Sequence, residues 1–218
     1  MEFQEVIKKR VGIRSFTDQQ ISEEDICAIV KDAQRSPSWA NAQATKVYVA
    51  VGETLKKIKA EHFERVGKAE KGNSDIPTAP RQTWGEKSLQ NQDQLMKDWG
   101  TFFSGDLKPF ITSQKVLYNA SAMVYLTVPK TAPQWALIDL GAFGQTLMLA
   151  AQDRGIGSTP AHEIVKFPDE VRKYVGIPDD EIVAMGIALG YPTDEKINQF
   201  VSQRMPVEDV LTLNFFGN

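Results

Sequence analysis

Between Asp139 and Asp153 runs Leu140-Gly141-Ala142-Phe143-Gly144-Gln145-Thr146-Leu147-Met148-Leu149-Ala150-Ala151, whose apolar residues fall on nearly every side of a helix. A helix that is apolar almost all round has no face to give to water, so other elements must cover it from several directions. The spacing predicts a helix from Trp135 to Arg154, closed by Gly155, with Gly141, Ala142 and Gly144 leaving room for another backbone to come close. Its apolar run is shorter than the ~20 residues needed to cross a bilayer, and Gln145 interrupts it. It reads as a buried helix, and no membrane association is expected. A chain of 218 residues with 42% hydrophobic and 24% charged residues can bury such a helix in a single domain, since one core stays efficient to roughly 250 residues.

Candidate covers follow from the remaining pattern. Phe3, Val6 and Ile7 mark one face of a short opening helix, and Gly12 suits a left-handed residue that ends it or turns the loop beyond, leaving Arg10 to Phe16 as an exposed basic turn. Ser22 before Glu23, Glu24 and Asp25 is an N-cap with an acidic first turn. Ile26, Ile29, Val30 and Ala33 then repeat at helical spacing until Ser36-Pro37 stops the helix. Cys27, the only cysteine, sits inside this pattern and is expected as a small buried hydrophobe. Val47 to Val51 is dense in β-formers and predicts a strand, and Leu55, Ile58, His62 and Val66 mark a helix on which His62 packs. Lys68 to Gln82 is a polar loop, and 83–118 reads as loosely organised helices. Ala122 to Val128 predicts a strand, Pro168 with Asp169 and Glu170 starts a helix to about Val175, and Glu181 to Leu189 is a central strand buried on both faces.

Several chemistries are excluded. A net charge of -3 argues against a nucleic-acid or anionic-membrane partner. Two histidines and one cysteine cannot assemble a His/Cys zinc site, and neither HExxH nor CxxC occurs, so no metal is expected. The GxSxG elbow and the GxxxxGK[ST] loop are absent, and Gly155-Ile156-Gly157 meets Pro160 where a dinucleotide fingerprint needs a helix start. The start MEFQEVIKKR is acidic and amphipathic where a signal peptide is basic and then apolar, so a cytoplasmic location is expected. What is left is chemistry carried by a cofactor.

Arg10 and Arg14 flank Gly12, so two guanidinium forks and backbone N–H groups can converge on one anion such as a phosphate; a solvated basic helix end explains the same residues. Four segments in order resemble the FMN-dependent nitroreductase family: Arg10-Val11-Gly12-Ile13-Arg14-Ser15-Phe16; Ser36-Pro37-Ser38-Trp39-Ala40-Asn41-Ala42-Gln43; Asp139 to Ala151 followed by Arg154-Gly155-Ile156-Gly157-Ser158-Thr159-Pro160; and Ile187-Ala188-Leu189-Gly190-Tyr191-Pro192 with Arg204 beyond. The resemblance covers most of the chain apart from 64–118. It implies that Arg10, Val11, Gly12 and Arg14 hold the flavin phosphate and the polar edge of its ring, with Arg204 as a late phosphate ligand. It implies too that Pro37, Ser38, Trp39, Asn41 and Gln43 reach the flavin from the partner subunit, and that backbone around Pro160, Ala161 and His162 lies at the reactive N5 edge. Gly12 stands where the family has Ser or Thr, so backbone replaces a side-chain hydrogen bond there.

By the same resemblance the fold is α+β, a three-layer nitroreductase-like sandwich with a mainly antiparallel central sheet between helices, forming an intertwined homodimer. Residues 1–218 would be one FMN-binding domain, with 64–118 a variable lid and 205–218 a tail wrapping the partner through Val210, Leu211, Leu213, Phe215 and Phe216. The implied activity is ping-pong transfer of hydride from NADH or NADPH through FMN to a nitroaromatic, quinone or related small electron acceptor. Flavin reductase, reductive dehalogenase, oxygen-using flavin-cleaving enzyme and non-catalytic flavin-binding protein are the alternatives. His162 is positioned to donate a proton, or to act through its backbone alone, and no catalytic residue is assigned.

Overall fold

Ala122–Pro129 forms β2, the strand around which the layers are arranged. With β1 (Lys46–Val51), β3 (Gly157–Pro160) and β4 (Glu181–Gly190) it makes a four-stranded antiparallel sheet in the order β1-β2-β4-β3. Successive strand residues point to opposite faces, and both faces of β2 are apolar. Ala122, Val124, Leu126 and Val128 pack against α2 (Glu23–Ala33) and α6 (Trp135–Asp153). Met123 and Tyr125 pack on the other side with Leu55 and Ile58 of α3 (Gly52–Gly67) and Val171 of α7 (Pro168–Val175). Helices therefore cover both faces, and the fold is the expected three-layer α+β sandwich.

The structure, a computed structural model, describes residues 1–214. These divide into two units, one of residues 1–79 and 108–199 that holds the whole sheet, the other of residues 80–107 and the chain from 200 onward. In the second unit α4 (Glu86–Phe102) ends in an aromatic cluster, with Trp99 stacked 4.2 Å from Phe200 and 5.3 Å from Phe103. The tail beyond it is apolar and uncovered, with Val207, Val210, Leu211 and Leu213 all exposed, while Phe215 and Phe216 lie outside the described residues. Among the described residues no helix is long and apolar enough to cross a membrane.

The predicted helices and three of the strands form close to their expected bounds. Ser22 Oγ accepts the Asp25 N–H at 3.0 Å and caps α2 as expected. Cys27 is a correction: it is exposed. The buried stripe of α2 runs through Ile29 and Ala33, one turn apart, and Cys27 lies roughly 200° around the helix from Ile29. A second correction concerns α6, where the close approach at Gly144 is by side chains of the sheet. A Cβ there would stand 2.7 Å from Met185 Sδ, while one at Gly141 would meet nothing within 4 Å. The opening helix α1 (Phe3–Lys9) buries only Val6, leaving Phe3 and Ile7 exposed. Strand β3 was not anticipated: four residues between Gly157 and Pro160 carry no periodicity, and the proline is tolerated at an edge.

Beneath the sheet α7 buries a carboxyl. Glu170 is 2% exposed, its Oε2 has no hydrogen-bond partner, and the nearest cation, Arg65 Nη1, is 3.8 Å away. Burial, reinforced by Glu61, pushes this carboxyl up from the ordinary value near 4.5 to about 8. The folded protein thus holds a proton that the unfolded chain releases above pH 4.5, so this contribution to stability is whole below that pH and is lost as pH rises through about 8. Glu170→Gln keeps the shape and cannot ionise. Its unfolding free energy from urea titrations is expected to match the parent near pH 4.5 and to exceed it above pH 8 by about 2 kcal/mol or more; parallel pH profiles would show that Glu170 ionises in the fold without cost.

Candidate functional site

After α1 the backbone runs extended, from Arg10, whose N–H donates to Val6 O at 2.9 Å, into a parallel bridge between Gly12 and Ser158. The Ile13 N–H donates to Ser158 O at 3.0 Å, the Arg14 and Ser15 N–H groups both donate to Asn198 Oδ1 at 2.8 and 3.1 Å, and the Thr17 N–H donates to Tyr191 O at 2.8 Å. These bonds overturn the expected exposed turn. Ile13, Ser15 and Phe16 are buried, and Gly12 is not left-handed. The physical reason is that β3 and residues 191–198 take up the backbone groups that a turn would have left to water.

Three of the four sequence motifs thereby meet along β3. Arg14 is half-buried there, its Nη1 donating to Gly12 O at 2.9 Å and its guanidinium 5.6 Å from the Phe110 ring of α5 (Lys108–Lys115). Burial lowers its pKa, opposed by Tyr118, without threatening its charge. A Cβ at Gly12 would come within 3.0 Å of Arg14 Nη1 and 3.4 Å of Thr159 Oγ1. The missing side chain is what lets the guanidinium fold back over the backbone. Val11 packs at the rim of the lower core, and Ser158 Oγ is buried without a hydrogen-bond partner.

Beyond β3, the exposed Pro160 ends the strand, the Ala161 N–H donates to Gly186 O at 3.1 Å, and His162 opens a short 3₁₀ turn. Its Nε2 lies 3.2 Å from Ser74 Oγ, and that hydroxyl contacts Ile76 O at 3.0 Å. Burial pushes the neighbouring Glu163 carboxyl upward, but His62 and Lys166 outweigh this and hold it below the usual carboxylate value. Lys166 Nζ donates to Glu163 Oε1 at 3.0 Å; His62 Nε2 comes within 3.3 Å of the same oxygen without making a directed hydrogen bond.

Two residues of this region escaped the sequence reading. Ser74 sits in a polar loop with nothing to distinguish it. Tyr118 lies in a turn, Leu117–Asn119, whose three residues are all left-handed, with φ of 46°, 62° and 56°. Burial pushes its phenol up to about 12, with Arg14 pulling the other way. Asn119 tolerates that region, but Leu117 and Tyr118 have no sequence signal for it, and such strain of about 1–3 kcal/mol each clusters at functional sites.

The second motif is anchored on α6. The Trp39 N–H donates to Asp139 Oδ2 at 3.0 Å, and its indole lies 4.8 Å from that of Trp135, both rings exposed. Ser38 Oγ accepts the Gln43 N–H at 3.1 Å, and Ala40, Asn41 and Gln43 are left-handed at φ 44°, 60° and 47°. Pro37, Ser38 and Gln43 border a cavity of about 280 Å³ floored by Phe143. Arg204 belongs to the second unit, where its Nη1 donates to Ser202 O, Ser202 Oγ and Gln203 O at 3.1, 2.8 and 2.9 Å.

A sandwich of this order, with an arginine-bearing segment bridged to its edge strand, defines a three-layer α+β class. The model of the Nitroreductase family matches residues 7–191, and the chain belongs to that family. It is similar to a 4-nitrobenzoate reductase of Pseudomonas putida, 26% identical over 217 residues that span 95% of this chain and 92% of the relative. In structure it is similar to an FMN and NADPH-dependent nitroreductase NfnB from sphigopyxis sp. strain HMH, with a TM-score of 0.89 at 21% identity covering 99% of this chain and 100% of the other. The FMN-dependent NfnB of Mycobacterium smegmatis, crystallised in complex with NADPH, gives a TM-score of 0.88 at 22% identity and 97% coverage of each chain. These structural likenesses establish the fold.

Gly12→Ala should leave thermal stability nearly unchanged, because the atom a Cβ meets is the movable end of Arg14. It should nonetheless push the guanidinium off its perch and weaken binding of a phosphate-bearing ligand at this edge about 5-fold or more, a fraction of a charged hydrogen bond. Isothermal titration of the two proteins with FMN checks this; equal affinities would detach Gly12 from the site.

Proposed function

We propose that this chain is an FMN-dependent NAD(P)H oxidoreductase that reduces nitroaromatics, quinones or related small electron acceptors. The observation that carries the reading is the Gly12–Ser158 bridge, which lays the Arg10–Arg14 segment along β3, the strand that leads into Pro160–His162. The donor set fits a flavin phosphate and ring edge: a half-buried guanidinium, a position without a side chain, and a buried Ser158 hydroxyl still without a partner. A bound FMN supplies two-electron carrier chemistry between a nicotinamide donor and the acceptor.

The residues of the chain bind and orient. Arg10, Arg14 and Arg204 take the phosphate and the polar ring edge, where bidentate guanidinium contacts suit anionic oxygens. Val11 and Gly12 let backbone come close, and Pro160, Ala161 and His162 present backbone groups to the reactive edge. Pro37, Ser38, Trp39, Asn41 and Gln43 complete the pocket of a partner subunit, so the working form is an intertwined homodimer. Support for that comes from the exposed apolar surface: Trp135 and Ile138 on α6 are 52% and 62% exposed, Trp39 is 58% exposed, and the tail from Val207 to Leu213 is uncovered. Apolar area of this kind marks an interaction surface. Residues 1–218 act as one flavin-binding domain, and 64–105 sets the choice of acceptor. A cytoplasmic location agrees with the lone, exposed Cys27 thiol.

The purified protein is expected to be yellow, dimeric by sedimentation, and to release FMN when denatured. Arg204→Ala should raise the FMN dissociation constant by about 10- to 100-fold, the loss of a charge-assisted contact, and steady-state double-reciprocal lines for donor and acceptor should run parallel. A colourless protein that also refuses added FMN would end this reading.

A further inference from the structure

The contact between His162 and Ser74 can run in either direction, and which way it runs depends on the tautomer of the ring. The Ser74 hydroxyl has one proton and two neighbours that can accept it, Ile76 O at 3.0 Å and His162 Nε2 at 3.2 Å. The proton cannot serve both. Placed on the closer carbonyl, it leaves only lone pairs facing the ring, and Nε2 must then carry the hydrogen of that contact. Were the ring protonated on Nδ1 alone, the hydroxyl would have to abandon Ile76 O to reach Nε2.

Ser74 is not free to drift. The Asn73 N–H donates to Lys166 O at 3.0 Å, and Gly72 packs so tightly against Lys166 that a Cβ there would sit 2.7 Å from its Cγ. On the other side Asp75 Oδ2 accepts the Val183 N–H of β4 at 2.7 Å and Arg172 Nη2 of α7 at 2.7 Å. The segment from Gly72 to Ile76 is thus stapled to the same turn that bears His162 and to the strand behind it. His162 itself is exposed, and among the described residues its Nδ1 has no hydrogen-bond partner.

We propose that Ser74 is a positioning residue that locks His162 in the Nε2–H form, so that Nδ1 is the nitrogen offered to the electron acceptor. Nδ1 takes a proton from water, leaving hydroxide to the buffer, and donates it to an oxygen of the acceptor as that acceptor gains the electron pair supplied by NAD(P)H, and the ring returns to its neutral Nε2–H form. The proton passes from water to acceptor with no net change in the ring. The function given to Nδ1 rests on the flavin-edge reading of Pro160–His162; the tautomer lock stands on the contacts alone.

The test joins a spectrum to a mutant cycle. In a long-range ¹H–¹⁵N correlation spectrum of the purified protein, neutral His162 should appear as the Nε2–H tautomer, its signal identified by loss in His162→Gln because the chain has only two histidines. Ser74→Ala should mix the tautomers and lower kcat for nitroaromatic reduction about 5- to 20-fold, the usual share of a misoriented acid, with FMN affinity within twofold. Ser74→Thr, which keeps a hydroxyl, should restore both. In the His162→Gln background, Ser74→Ala should cost nothing further. An Nδ1–H tautomer in the parent, an unmoved tautomer in Ser74→Ala, or an additive double mutant would each overturn the proposal. Failure of the flavin reading shows separately, as absent FMN binding; it removes the role of Nδ1, while the spectrum still decides the lock.

Discussion

Every residue of β2 from Ala122 to Val128 is buried, and a strand with no solvent face requires a cover on each side. The remaining architecture meets that requirement. Ala122, Val124, Leu126 and Val128 take α2 and α6, Met123 and Tyr125 take α3 and α7, the Thr127 hydroxyl donates to Glu181, and β1 and β4 satisfy the two hydrogen-bonding edges. The sheet is left with β3 as one edge strand. Unpaired strand edges invite wrong partners, and the Gly12–Ser158 bridge covers this one with the segment that carries Arg10 and Arg14. Closing the sheet and placing the arginines are one event.

Polar groups beneath the sheet do a related job for the long loop after α3. Asp75 joins Arg172 to the Val183 N–H, and Arg172 also donates to Glu181 O at 2.6 Å. Burying such charges is costly unless they are paired and hydrogen-bonded, and here each carboxylate oxygen of Asp75 has a donor. What the arrangement gains is position: a loop with no secondary structure of its own is fixed within hydrogen-bond reach of His162. Asp75→Ala would leave the partly buried Arg172 with only the Asp179 carboxylate, 3.7 Å away, and release the loop from β4.

Periodicity made the layers legible. The apolar runs of 122–128, 135–154 and 181–189 and the stripes of α2 and α3 are each long enough for a period of 2 or 3.6 to declare itself. The order of the four motifs carries the family resemblance in the sequence itself. What stayed hidden was of another kind. Whether Cys27 faces in or out depends on which two residues of α2 the sheet selects. The left-handed Ala40, Gln43, Leu117 and Tyr118 are residue types that ordinarily avoid that region, and only their neighbours Asn41 and Asn119 are types that enter it readily. Ser74 acquires its meaning from a contact 88 residues away.

Gly12 and its neighbours show best why the basic segment was misread as an exposed turn. Glycine in a strand ordinarily signals weakness or a break, yet Gly157 and Gly190, paired across β3 and β4, act here as sockets. A Cβ on Gly157 would stand 2.8 Å from Ile13 Cγ1, and one on Gly190 would stand 2.7 Å from Phe16 Cδ1. Ile13 and Phe16 fill those spaces and are only 6% and 4% exposed. Two apolar side chains set into holes between strands fix the backbone on both sides of Arg14, and Gly12 leaves the third space into which its guanidinium folds. Burial of Ile13 and Phe16 is worth about 2–3 kcal/mol each, comparable to a strong charged hydrogen bond. The position of the charge is therefore set by hydrophobic packing of its neighbours, and it is in place before any anion arrives to hold it.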